Sequence, residues 1–136
     1  MKKFTYIISL SLLVLVSSCG ISEDCFKGNG NQITQTFPLE NFTKIKVYDG
    51  VGLVIKEGPN YEVKIKTSDN ILPNLEVNLE GEVLVVKDNS TCNIARDYGL
   101  TTVYVTSPNL TEIHFKTEQD IKSDGVLIYP YLNLYA

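Results

Sequence analysis

The 136-residue sequence predicts a single all-β domain behind an N-terminal targeting segment. After residue 30, apolar residues alternate with polar ones, which is typical of half-buried strands, and no sustained 3.6-residue apolar period occurs. The strand-like segments begin about ten residues apart, as in sandwiches, barrels and solenoids. Between them lie Asp-Gly, Gly-Pro-Asn and Ser-Pro-Asn turn sequences. Together these features predict an all-β fold.

Residues 1–18 have the layout of a secretory signal peptide. Two lysines follow Met1, the 13 residues from Phe4 to Val16 carry no charge, and small residues precede Cys19. This apolar stretch is shorter than the about 20 residues that a membrane-spanning helix needs. An uncleaved membrane anchor or a buried core helix is the alternative interpretation.

The sequence Val16-Ser17-Ser18-Cys19 resembles the lipobox of bacterial lipoproteins. The resemblance implies cleavage before Cys19, acylation of that cysteine with palmitate-type chains, a tether over residues 19–30 and a domain over 31–136. Several acyl chains hold a protein firmly, since each buried CH₂ contributes about 0.8 kcal/mol. Ser22-Glu23-Asp24 resembles the acidic signal that directs some Bacteroidetes-type lipoproteins to the outer surface; a plain solvated linker is the alternative.

The charge balance argues against a nucleic-acid partner. The chain has 12 basic and 16 acidic residues, and two of the lysines lie in the leader. An acidic domain lacks the basic footprint of nucleic-acid-binding proteins and is repelled by anionic lipid. We therefore expect the lipid anchor to hold the protein in the cell envelope as an outer-membrane lipoprotein, facing either the periplasm or the outside.

The remaining two cysteines suggest a disulfide. With Cys19 acylated, Cys25 and Cys92 are left in a compartment where disulfides persist. A bridge between them would contribute about 4 kcal/mol by restricting the unfolded chain. A metal site and two unpaired thiols are the alternatives, but the sole histidine, His114, has no partner at zinc-ligand spacing. No metal or cofactor is predicted.

The strands of the domain are predicted in order along the chain. Clean alternation covers 44–48 and resumes at 51–55 after the Asp49-Gly50 turn. Further strands are predicted at 61–66, 75–80, 83–86, 101–106, 110–115 and 126–135. Short loops favour antiparallel hairpins up to about Asp88, whereas the later strands suit the rungs of a short β-solenoid. A β-sandwich is the alternative.

No residue pattern indicates catalysis. Alternation places His114 beside Glu112 on the solvent side of its strand, and the nucleophile motif Gly-x-Ser-x-Gly is absent. The carboxylates are scattered rather than paired as a glycosidase requires. Two lysine pairs share the outward side of their strands, either as a basic ladder or as an ordinary solvated face; they are Lys44 with Lys46 and Lys64 with Lys66.

Three segments carry a family resemblance. Residues 42–47 and 51–58 read F-x-x-I-x-V and V-x-L-x-I-x-x-G, and residues 103–113 read V-x-V-x-x-P-x-L-x-x-I. In order and spacing they resemble the head GIN domain family, labelled putative auto-transporter adhesin and common in Bacteroidetes lipoproteins. The segments around Cys25 and Cys92 resemble the paired cysteine segments of one branch. The resemblance implies a right-handed β-helix-like solenoid outside the cell, with no catalytic residues to carry over.

The expected function is therefore non-enzymatic: a lipid-anchored envelope protein whose β surface binds a protein or glycan, for example in adhesion. The tyrosine-rich end supplies a candidate contact surface of Tyr129, Tyr131 and Tyr135. Family members usually continue for more rungs, so a solenoid ending at Ala136 predicts an open edge, available for self-association unless the tyrosine-rich tail caps it. The alternatives are a polysaccharide-acting hydrolase on a β-helix scaffold, and a structural subunit that completes its edge with a partner.

Overall fold

A computed structural model describes residues 23–92 and 95–136, so the predicted leader, Cys19 and the first part of the predicted tether, up to residue 22, lie outside the described residues. The described part contains two short 3₁₀ helices, Glu23–Phe26 and Leu72–Asn74. Its strands are β1 Gln32–Phe37, β2 Lys44–Val47, β3 Val51–Glu57, β4 Glu62–Ser68, β5 Leu75–Glu80, β6 Val83–Asp88, β7 Thr101–Ser107, β8 Glu112–Phe115, β9 Ile121–Ser123 and β10 Asn133–Tyr135. The all-β prediction is confirmed.

The strands form two mixed sheets of five. Sheet A has the order β1-β4-β7-β3-β9, and sheet B has the order β10-β8-β2-β6-β5. The strands β7-β3-β9 in sheet A and β6-β2-β8-β10 in sheet B are parallel, while the remaining pairs are antiparallel. Neither sheet closes into a barrel, and a pair of sheets is compatible with the sandwich alternative.

The expected series of early hairpins is wrong. Strands β2 and β3 lie in different sheets, and β4 pairs with β1 and β7 rather than with β3. The chain changes sheets between β2 and β3 at Gly50, whose φ of 80° few other residues adopt. Both neighbours of β2 are already taken, because β6 and β8 pair with it in parallel. Strands β5 and β6 do form a hairpin, with Gly81 at its tip.

Two further differences concern the ends of the domain. Strand β1 was not predicted, because four of its six side chains are polar and exposed and its alternation is weak; its pairing with β4 holds it in place. Within the predicted strand 126–135, only Asn133–Tyr135 forms a strand in the structure. Pro130, which lacks a backbone N–H, lies in the connection that precedes this strand.

The core lies between the two sheets. Its members are the inward-facing residues of the central strands, each 2% exposed or less; they include Ile45, Val47, Leu53, Ile55, Val63, Ile65, Leu84, Val86, Val103, Val105 and Ile113. Parallel register stacks equivalent residues in rows, so that Leu84, Ile45 and Ile113 follow one another across sheet B. Within a row, a residue is fully buried where its own strand has a neighbouring strand on both sides.

The predicted disulfide between Cys25 and Cys92 is present and joins residues 67 apart in sequence. Neighbouring polar contacts reinforce it. Arg96 donates from Nε to the Lys27 carbonyl oxygen at 3.2 Å, and Asn29 donates from Nδ2 to Asp97 Oδ2 at 2.7 Å. The start of the domain is therefore fixed to the connection before β7.

Candidate functional site

His114 lies on the outer face of sheet B in a cluster with Glu112, Tyr135 and Lys44 that links three strands. Its Nε2 is 3.1 Å from Glu112 Oε2 on the same strand, and its ring stacks on Tyr135 of β10 at a centroid distance of 4.6 Å. Lys44 of β2 reaches the other oxygen of Glu112 at 3.1 Å. The hydrogen bond from His114, followed by that from Lys44, lowers the pKa of Glu112. This arrangement attaches the edge strand to its neighbours.

The two lysine pairs do not form one basic ladder. Lys44 and Lys46 belong to β2 in sheet B, whereas Lys64 and Lys66 belong to β4 in sheet A. Two of these lysines have acidic partners, Lys44 with Glu112 and Lys64 with Glu62. The solvated-face interpretation of the lysines therefore fits the structure.

One row of the core ends in solvent at the edge of sheet B. The row runs through Leu84, Ile45 and Ile113, exposed by 0%, 0% and 1%, and reaches Leu134 on β10, which is 61% exposed. Leu134 points inward by register, but β10 is the last strand of the sheet. Leu134 is thus an inward-facing leucine with a strand, β8, on one side only.

Other exposed apolar side chains accompany Leu134 in the C-terminal segment. We call this group the C-terminal apolar surface; its members are Val126, Ile128, Tyr131, Leu134 and Tyr135, exposed by 84%, 76%, 80%, 61% and 46%. Leu134 faces the inner side of β10 and Tyr135 the outer side, where it stacks on His114, so the group occupies both faces of the edge strand. Exposed apolar patches often mark an interaction site. Two of the three sequence-predicted contact residues, Tyr131 and Tyr135, belong to it.

Tyr129, the third predicted contact residue, is turned toward the domain. Its hydroxyl donates to the Ser107 carbonyl oxygen at 2.9 Å, and its ring packs against the core. Burial, with a smaller contribution from the Glu57 carboxylate, raises the pKa of Tyr129 to about 12. Tyr129 therefore anchors the connection between β9 and β10 instead of contributing an exposed ring.

A groove of about 350 Å³ crosses the outer face of sheet A over β7, β3 and β9. Register places two rows of outward residues there. One row contains Tyr104, Val54 and Lys122. The other contains Thr102 and Gly52, with Asp120 beside them because the Leu53 N–H donates to the Asp120 carbonyl oxygen at 3.1 Å. We call this the sheet A groove; Gly99 and Gln119 complete its lining.

The groove contains one acidic and one basic side chain, Asp120 and Lys122, whose charges balance each other. Lys122 Nζ lies 2.7 Å from Asp120 Oδ2, and this ion pair lowers the pKa of Asp120 and raises that of Lys122. Both side chains are more than half exposed, so they remain available to a ligand. The groove thus offers a carboxylate acceptor, an ammonium donor, a hydroxyl and an amide with no net charge among them.

Sequence reasoning missed this groove. Its members are distributed over β3, β7, β9 and two loops, and only the parallel register brings them together. One signal was available: Gly52 occupies an outward position of a strand, where alternation otherwise places a side chain.

The described ranges contain neither a candidate metal site nor a candidate membrane-spanning helix. Over residues 23–92 and 95–136, no three or more His, Cys, Asp and Glu side chains are grouped so that they could hold a metal ion. Within the same ranges, no helix has the length and apolarity to cross a membrane.

Comparison with known proteins gives a consistent result. A family model described as "putative auto-transporter adhesin, head GIN domain" matches residues 41–136. Among solved structures, a putative adhesin from Bacteroides fragilis superposes with a TM-score of 0.69 at 19% identity, covering 78% of this chain and 49% of that one. A putative adhesin from Parabacteroides merdae gives 0.60 at 18% identity, covering 71% and 40%.

A third structure carries a different description. It is a putative lipid binding protein from Parabacteroides distasonis, with a TM-score of 0.52 at 20% identity and coverage of 65% and 39%. The chain thus spans half or less of the length of these structures, and at this identity the likeness shows the fold. No curated protein sequence matches the chain.

Proposed function

The chain belongs to the head GIN domain family of putative auto-transporter adhesins, and on this premise we propose that it is a non-enzymatic, lipid-anchored protein of the outer cell surface. Its role is to present a β surface that binds another macromolecule. The observation that carries the binding role is the core row that ends in solvent at Leu134.

The anchor is Cys19. Its support is the short apolar leader, the lipobox-like Val16-Ser17-Ser18-Cys19 and the acidic balance of the chain, which leaves the domain itself no electrostatic hold on an anionic membrane. The acidic Ser22-Glu23-Asp24 segment supports export to the outer face. Labelled palmitate should attach to the full chain in its host and not to Cys19→Ser, and absence of label from the unaltered chain would refute the anchor.

We propose that the parallel strands are stacked turns of a short β-helix-like solenoid, in which the β2–β3 turn lies between the β6–β7 and β8–β9 turns. Three parallel steps in sheet B, β6 to β2 to β8 to β10, and two in sheet A, β7 to β3 to β9, support this proposal. In such a fold each turn buries its apolar side on the next one. The turn at the end of such a stack has no strand on its outer side, and this open edge is a surface that a partner can bind.

The open edge is suited to strand addition by a second copy of this chain. An edge strand offers backbone N–H and C=O groups in a row, and exposed Leu134 and Tyr131 supply apolar contacts. A second copy brings a matching edge with the same apolar groups, so the two edges can cover each other by two-fold symmetry. The C-terminal apolar surface would then be the interface.

Sedimentation velocity of the full chain in detergent tests this interface. We expect a concentration-dependent dimer that Leu134→Lys abolishes, because a lysine placed in the interface cannot be desolvated cheaply. Phe26→Lys is the matched control: Phe26 is 68% exposed but lies in the first 3₁₀ helix. Dimerisation that survives Leu134→Lys, or a monomer throughout, would refute the second copy as the occupant.

A further inference from the structure

We propose that the sheet A groove is a saccharide site that takes a neutral pyranose, either free or as the end of a glycan. This inference goes beyond the binding surface proposed above, because the groove lies on the outer face of β7, β3 and β9, whereas that surface is the C-terminal edge. Three features support it: the shape of the groove, one aromatic ring and the arrangement of polar groups around that ring.

The floor of the groove is open because Gly52 has no side chain. A Cβ at Gly52 would stand 3.4 Å from Thr102 Oγ1 and 3.4 Å from the Asp120 carbonyl oxygen, which are tight contacts with the neighbours of Gly52 on both sides. A second glycine, Gly99, lies at the end of the groove with a φ of 75°, and a Cβ there would collide with the Gln119 amide. At about 350 Å³, the groove lies at the lower end of the range of small-molecule sites, about 300–1,000 Å³.

The two rows offer the two kinds of contact that a pyranose ring needs. Tyr104 is 40% exposed beside Val54, and together they form a small apolar platform for the C–H face of a sugar. A tyrosine supplies such a contact area at low conformational cost. The neighbouring row provides hydrogen-bonding groups at the edge of that platform, where the hydroxyls of a sugar lying on Tyr104 would point.

The polar row is matched to hydroxyl groups. Each sugar hydroxyl is both donor and acceptor. Asp120 beside the polar row supplies a carboxylate, Gln119 supplies an amide, and Lys122, at the end of the Tyr104–Val54 row, supplies an ammonium. Asp120 and Lys122 already pair at 2.7 Å, which holds the two groups side by side and leaves the groove neutral. A neutral site gives no advantage to a phosphate or another multiply charged ligand, so the balance of charge selects an uncharged sugar.

Immobilised full chain in detergent provides the test. The probes are soluble polymers that carry many copies of β-glucose, β-galactose or α-mannose, because multivalency makes weak single-site binding measurable. Polymers that carry glucuronic acid, phosphate or a short Gly-Ser peptide are the comparison arms. We expect at least one neutral-sugar polymer to bind, and its free methyl glycoside to compete.

Variants assign the binding to the groove. Gly52→Ala and Tyr104→Ala should each weaken the binding of that polymer by about tenfold or more, and Asp120→Asn should weaken it without changing the shape of the groove. Phe26→Ala is the matched control for the loss of an exposed aromatic ring and should bind as the unaltered chain does. Thermal melting of each variant identifies loss of fold, and a Gly52→Ala chain that unfolds is replaced in the comparison by Asp120→Asn.

Three results would overturn the proposal: no neutral-sugar polymer binds, the phosphate or peptide polymer binds better, or the groove variants bind as well as the control. None of these results bears on the dimer or on acylation of Cys19. The saccharide site and the proposed function can therefore fail separately.

Discussion

Truncating two aliphatic residues of one core row should have unequal effects on stability. Ile45 lies in the middle of the row, between Leu84 and Ile113, and is 0% exposed; Leu134 ends the row and is 61% exposed. We compare Ile45→Ala with Leu134→Ala in a chain of residues 23–136, which contains the whole described core.

The expected costs follow from burial. Removing a buried isoleucine or leucine costs about 2–5 kcal/mol, and Ile45 is held by strands on both sides that cannot close over a cavity, so we expect about 3–4 kcal/mol. Full burial of a leucine is worth about 1.5–3 kcal/mol. With 61% of Leu134 exposed, roughly two-fifths of this is at stake. Leu134→Ala should therefore cost about 1 kcal/mol.

Urea unfolding followed by far-ultraviolet circular dichroism, with the disulfide intact, measures both values. At low protein concentration the monomer predominates and the difference should be about 2–3 kcal/mol. As the concentration rises, the cost of Leu134→Ala should increase, because association stabilises the folded state and this substitution weakens association. Equal costs at low concentration would refute the reasoning, since they would mean that Leu134 is covered within one chain.

Three further predictions concern single features of the fold. Tyr129→Phe should remove part of the loss of stability between about pH 10 and 12: in that window the unfolded tyrosine releases a proton that the folded one, with its pKa of about 12, retains. Urea unfolding across this range checks it, and an unchanged pH profile would contradict it. Replacing Cys25 and Cys92 by serine should cost about 4 kcal/mol and lower the melting temperature, and an unchanged melting temperature would show that the bridge does not stabilise the fold. Gly81→Ala should lower the free energy of unfolding by about 1–2 kcal/mol in urea, because φ is 63° at the tip of the β5–β6 hairpin. Among the described residues, no atom outside the adjoining ones lies within 4 Å of the new methyl group, so the cost is that of the backbone conformation. A gain in stability would contradict this explanation.

Strand content could be predicted from sequence because alternation is a local property. Segments such as 44–48 and 61–66 alternate cleanly and correspond to β2 and β4. Strand β1 could not be found this way, since Gln-Ile-Thr-Gln-Thr-Phe pairs along its backbone with β4 while most of its side chains face solvent. Its existence depends on a partner about 30 residues further along the chain.

Strand pairing was beyond local reasoning for a different physical reason. A short loop between β2 and β3 suggests a hairpin, but the Gly50 corner turns the chain from one sheet into the other. Strand β2 pairs in parallel with β6 and β8, both of which lie far from it in the sequence. The Cys25–Cys92 pair, in contrast, followed from counting cysteines and from the expected compartment, and the structure contains it.

The difference between local sequence patterns and long-range contacts also explains which residues of the candidate sites could be predicted from sequence. Tyr131 and Tyr135 were identified by composition alone, but the inward orientation of Tyr129 depends on a contact with Ser107 at the end of β7. Leu134 was not singled out, because its importance comes from the row that it ends rather than from its type. The sheet A groove required the register of three strands, and in the sequence only Gly52 hinted at it.

Protease treatment of intact host cells tests most directly whether the chain works as a lipid-held binding module on the outer surface. Immunodetection follows the domain before and after treatment, and lysed cells serve as the control for its susceptibility to the protease. We predict that the domain is degraded or released from intact cells while a periplasmic marker stays protected. Full protection in intact cells, with digestion after lysis, would contradict the account, because a domain confined inside the outer membrane cannot bind partners outside the cell.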